Sequence, residues 1–121
     1  MARHRIDPGL GAAAVRSGDD TALAVRYLLQ VLSDEAPGNT LEVRVPPFGA
    51  AQVVEGPRHT RGTPPNVVEM DAATWIALAT GFLGWDEAIE RNRVSASGSR
   101  ADLAPYLPLD WAVGDGGRME P

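Results

Sequence analysis

The stretch "GPRHTRGTPPNVVEM", residues 56–70, gathers Arg58, His59 and Arg61 into a Gly/Pro-rich segment between Glu55 and Glu69. A guanidinium presents a fork of N–H donors that can hold a carboxylate or phosphate through two parallel bonds, and an imidazole beside it adds a further donor. Two readings stay open. The segment is an anion-receiving loop carried by a rigid scaffold, or it is a brace in which the arginines pair with Glu55 and Glu69. A second group, Trp75, Leu78, Phe82, Leu83 and Trp85, concentrates apolar bulk around Gly81 and Gly84. At helical spacing such side chains form a core. With glycines between them and short elements around them, they also suit the lining of an apolar cavity.

The remaining chemical signals are weak. "GLGAAA" at residues 9–14 imitates a dinucleotide fingerprint, but no strand precedes it and no βαβ unit surrounds it. His4 and His59 are the only histidines, far apart and without a carboxylate at ligand-like spacing, so no metal site is expected. The pairs Asp19/Asp20, Asp34/Glu35 and Asp86/Glu87 fall at expected helix ends, where capping and the helix dipole account for them. Ser95, Ser97 and Ser99 have no paired base and read as strand and cap residues. All eleven basic residues are arginine, which excludes Schiff-base chemistry on a lysine, and the absence of cysteine excludes thiol chemistry. No cofactor is expected, and no catalytic residue stands out.

At 121 residues the chain forms one domain, long enough to bury roughly two thirds of the surface that its unfolded state exposes. A net charge of −5 argues against nonspecific binding of nucleic acid, which requires several cations placed on phosphates. No apolar run of ~18 residues is present to cross a bilayer, and "MARHRIDPGLGAAAV" lacks a signal-peptide core, so a cytoplasmic location is expected.

The elements that must position these residues follow from periodicity. Residues 1–19 form an N-terminal segment with a short helix around "AAAV". Ala24, Tyr27, Leu28, Val31 and Leu32 then share one helical face, with Asp19 or Asp20 as cap and a stop near "DEAPGN". "TLEVRV" alternates, placing Leu41, Val43 and Val45 on one side and Glu42 and Arg44 on the other. "PPFG" turns the chain into a second strand, "AAQVVE", antiparallel to the first; "NVVEM" is a third. Asp71 caps a helix that carries Trp75, Leu78, Ala79 and Phe82 on one face, and "WDEAIERN" forms a short second helix with Trp85 and Ile89 one turn apart. "RVSASG" reads as a strand. "SRADLAPYLPL" reads as a terminal short helix with Ser99 and Asp102 in a capping box, and residues 110–121 as a tail.

The order of these elements resembles the sterol carrier protein 2 family. The passage "TWIALATGFLGWDEAIERNRVSASGSRADLAPYL" is similar to the stretch of that family in which a helix ends at a glycine and an alanine-containing turn leads into a strand closed by another glycine, here Gly81, Ala88 and Gly98. The resemblance spans roughly residues 20–109. More narrowly, "VRVPPFGAAQVVEGPRHTRGTPPNVVEMDAATW" looks like the bacterial sterol-carrier orthologues of actinobacteria, and the arginine-only basic set fits a GC-rich genome. Asn92 stands where a glycine is common, a tolerable exchange because Asn also adopts left-handed turns. The ending "RMEP" is no peroxisomal address.

The resemblance implies an α/β (α+β) sandwich: a curved, mainly antiparallel sheet of about five strands, helices packed on one face, and an apolar ligand tunnel between the layers. It also implies a non-enzymatic carrier of a lipid or other apolar small molecule. In that reading Trp75, Leu78, Phe82, Leu83 and Trp85 meet the apolar part, and Arg58, His59 and Arg61 receive an acidic head group. A homodimer is compatible with it. The alternatives are a protein-interaction module with a filled core and, third, an accessory domain of a thiol-dependent isomerase system. A related domain forms the C-terminal part of mycothiol-dependent maleylpyruvate isomerases, whose metal-binding catalytic domain is a separate unit.

Overall fold

In the computed structural model, residues 4–56 and 66–112 are described. Helix α1 (Pro8–Ser17) begins where Asp7 accepts a hydrogen bond from the Leu10 N–H and Pro8 occupies the first turn, and it ends at the left-handed Gly18. Helix α2 (Thr21–Glu35) is capped in the same way by Asp20, the second of the two expected candidates. Four strands follow the expected segments closely: β1 (Leu41–Val45), β2 (Gly49–Val53), β3 (Asn66–Met70) and β4 (Val94–Ser97). Helices α3 (Ala72–Thr80) and α4 (Trp85–Glu90) lie between β3 and β4 in sequence.

The strands form one sheet in the order β2-β1-β3-β4. Both outer pairings are antiparallel, with Val43 opposite Ala51 and Val68 opposite Ala96, while the central pairing of β1 with β3 is parallel. The sheet is therefore mainly antiparallel, as expected, but has four strands among the described residues rather than about five. Alternation along β1 buries Leu41, Val43 and Val45 completely and leaves Glu42 and Arg44 half-buried on the other face. On that second face Arg44 lies between Glu42 and Glu69, at 3.3 and 4.0 Å. The helices thus pack on one side only. Their buried side chains Val25, Leu28, Leu32, Trp75 and Leu78 join Leu41, Val43, Val53, Val68 and Val94 in one hydrophobic core.

Asp71 caps α3 by accepting from the Thr74 N–H at 2.8 Å. That bond, then the Thr74 side chain, and to a lesser extent the Arg93 charge, hold its carboxyl below the usual aspartate range. Arg93 is itself fixed by donating to the Thr74 hydroxyl at 3.1 Å. We expect Asp71→Ala to lower stability by about 1 kcal/mol at neutral pH. Because the folded-state pKa is the depressed one, this stabilisation is fully present above the unfolded value of ~3.9 and is lost as pH falls through the folded value. Melting curves of the wild type and the variant should therefore converge in acid. A gap that persists at low pH would assign the loss to something other than the carboxylate.

Three details of the chain's second half differ from the sequence reading. Helix α3 stops at Thr80 because Gly81 adopts φ 91°, so Phe82 leaves the helical face and is 88% exposed. In α4 the buried side chain is Ala88, whereas Trp85 is half-buried and Ile89 exposed. The expected terminal helix is a single 3-10 turn, Ala104–Tyr106. Pro108 explains its brevity: the residue before a proline is pushed out of the helical region, and Leu107 is extended. Asp102 accepts from the Ala104 N–H, in place of a capping box with Ser99. Asn92 does adopt the left-handed conformation, with φ 60°.

Candidate functional site

Helix α2 carries more apolar surface than one stripe. Besides the expected face it has Leu23, Val25 and Leu29, and a helix that is apolar over most of its circumference must meet more than one neighbour. Leu23, Arg26, Gln30 and Ser33, at spacings of three and four, form a further face that looks into a groove of about 780 Å³. The facing wall is the sheet edge, Gly49, Ala50 and Ala51, with Phe48 at its start. Gly49 brings the two walls together: a β-carbon placed there would lie 3.4 Å from the Leu29 side chain.

Residues 4–6 close the third side. Gln30 holds this segment by a reciprocal pair of bonds, its Oε1 accepting from the Ile6 N–H at 2.9 Å and its Nε2 donating to the Ile6 carbonyl at 3.0 Å. Arg5 binds both carboxylate oxygens of Asp34, at 3.3 and 2.6 Å. That hydrogen bond raises the Arg5 pKa above its ordinary value and keeps the side chain charged. Both partners are largely exposed, so the pair contributes orientation more than stability. Arg26 donates from Nε to the Phe48 carbonyl at 3.1 Å, which spans the groove from helix to sheet edge. The interior is lined by Ile6, Leu23, Leu29, Phe48 and Ala51, and its volume lies within the range of small-molecule sites.

The residues singled out from sequence lie elsewhere. Trp75 is fully buried in the core, with its indole N–H donating to the Val25 carbonyl at 3.3 Å. Leu78 is also buried, and together with Leu83 and Trp85 it borders a cleft of about 240 Å³ closed by Ala104, Leu107 and Pro108. Phe82 stands outside this cleft, in solvent. The structure thus brings Leu78, Leu83 and Trp85 together and separates them from Phe82. Arg58, His59 and Arg61 lie outside the described residues. Glu69, one of their suggested partners, faces Arg44 across the parallel ladder.

The groove was missed because its walls come from residues 4–6, 23–33 and 48–51, which no local motif joins. One signal was present, Leu23 on α2, an apolar side chain outside the core cluster that borders the groove.

A one-sided layer of helices on a small open sheet, with a groove beside its edge strand, makes this a mixed α+β domain. The family model described as "Bacterial SCP ortholog" matches residues 17–109, most of the chain, and the chain belongs to that family. Among curated proteins, none matches the chain. No described helix is long and apolar enough to cross a membrane.

Proposed function

We propose that this protein binds a lipid or other apolar small molecule, without catalysing its conversion, in the groove between α2, β2 and residues 4–6. Family membership supports apolar-ligand binding in general. The observation that carries the reading to this site is a volume of about 780 Å³ walled by Leu23, Leu29, Phe48 and Ala51. Apolar ligand surface that leaves water against such walls gains about 25 cal/mol per Å². The sequence had suggested the space under α3 for this role. There Trp75 packs into the core, and the adjoining cleft has about a third of the groove's volume.

Native mass spectrometry of protein purified without detergent, followed by melting-temperature titration with fatty acids and sterols, tests the reading. A bound ligand at a hundred times its Kd should stabilise the fold by about 2.7 kcal/mol. Ala51→Phe, which fills the groove from the sheet side, should remove that shift while costing only about 1 kcal/mol in the unliganded protein. A shift that survives Ala51→Phe would place the ligand elsewhere, and the absence of any shift with either ligand class would overturn the reading.

A second reading has one observation in its favour. Phe82 is 88% exposed, an apolar side chain in water of the kind that suits a partner surface. It stands as a protein-interaction module, and loss of a partner on Phe82→Ser with ligand binding intact would select it.

A further inference from the structure

Charge around the groove is one-sided. In a chain of net charge −5, the groove lining carries His4, Arg5 and Arg26 and no carboxylate among the described residues. Arg5 is neutralised by Asp34. Arg26 is different. Its Nε is committed to the Phe48 carbonyl, and its two terminal nitrogens have no partner among the described residues. The Nε bond ties the guanidinium to the groove's far wall, and its remaining N–H donors are of the kind that hold a carboxylate or phosphate. The apolar walls begin one turn away on the same helix, at Leu23 and Leu29. We infer that the groove selects amphiphiles with a single anionic head, carboxylate or phosphate, and that Arg26 is the residue that reads the charge. This rests on the groove being the ligand site, and it adds the chemical class of the ligand.

The test compares three probes with one alkyl chain: decanoate, decyl phosphate and decanol. Each is titrated calorimetrically into the wild-type chain, and the amide signals of Gly49, Ala50 and Ala51 report where it binds. One charge-assisted contact at a solvent-accessible site should make at least one of the anions bind about tenfold more tightly than decanol. In Arg26→Gln that preference should fall to within about twofold, and Arg26→Lys should restore much of it. The better of the two anions identifies the head group, and either result upholds the inference. Equal affinity for decanoate, decyl phosphate and decanol in the wild type would overturn it and leave the groove standing as an apolar site. A preference that survives intact in Arg26→Gln would also overturn it. If none of the three probes moves the Gly49–Ala51 amides, the groove itself is not the site, and the underlying reading fails with the inference.

Discussion

Trp75→Ala is expected to destabilise the protein by about 3–5 kcal/mol, the range found when a large aromatic is removed from a packed core. The indole is fully buried and is the largest fully buried side chain among the described residues. It touches the core that α2 and the sheet share, and its Nε1–H satisfies the Val25 carbonyl, so truncation leaves a void and a buried acceptor without its partner. At roughly 4 °C per kcal/mol for a domain of this size, the melting temperature should fall by about 12–20 °C. Trp75→Phe should cost much less, since it retains most of the volume and loses the one hydrogen bond. Ligand affinity, measured below the variant's melting point, should remain close to wild type. A small loss of stability accompanied by weaker binding would mean that Trp75 lines a ligand cavity, contrary to its place in the core.

The second large effect is expected at Asn66. Its side chain is 2% exposed and joins three segments: Nδ2 donates to the Thr40 carbonyl at 3.0 Å, and Oδ1 accepts from the Arg100 N–H at 2.8 Å. Thr40 precedes β1, Asn66 opens β3 and Arg100 follows β4, so one amide fastens the same end of three adjacent strands. Asn66→Ala leaves both backbone groups without that partner and should cost about 2–4 kcal/mol. Asn66→Asp at neutral pH should be at least as harmful, because it sets a buried carboxylate oxygen against the Thr40 carbonyl oxygen. Burial raises the pKa of such a carboxyl in the folded state, so this penalty is fully present above that raised value and shrinks as pH falls through it, when the protonated acid can donate to Thr40. Chemical denaturation of both variants at pH 7 and pH 5 checks this. A deficit in Asn66→Asp that does not shrink toward pH 5 would contradict the assigned geometry.

Local rules were legible wherever a residue's role depends on its sequence neighbours. The alternation of "LEVRV" gave both faces of β1, and Asp20 and Asp71 marked helix starts because a carboxylate needs only the N–H groups three residues ahead. Gly81 was legible as the end of α3, but the helical face was read on past it. A period of 3.6 residues extrapolates through a C-cap, and so Phe82 was assigned to a face that it leaves. The last element failed for a related reason: Leu103 and Leu107 do fit a helical spacing, yet Pro108 decides the backbone of Leu107, and Leu109 is held instead by a bond from its N–H to the Ala79 carbonyl at 2.9 Å. Strand order lay beyond reach, because nothing local tells β3 to join β1 on the side away from β2. The groove depends on that order and on the return of residues 4–6 to α2, and both are long-range events.

The parallel seam between β1 and β3 has a further meaning. Every described residue that walls the groove belongs to the chain before Val53, on one side of the seam. Trp75, Leu78 and the cap at Asp71 belong to the chain after Asn66, on the other side. The groove walls and the Asp71-capped helix therefore come from stretches on either side of that ladder in chain order, and α2 joins them, its Val25 carbonyl accepting from the Trp75 indole N–H. Because α2 carries both the groove wall and the carbonyl that Trp75 binds, substitutions at Leu23 or Arg26 act on a helix that the tryptophan-centred core also uses.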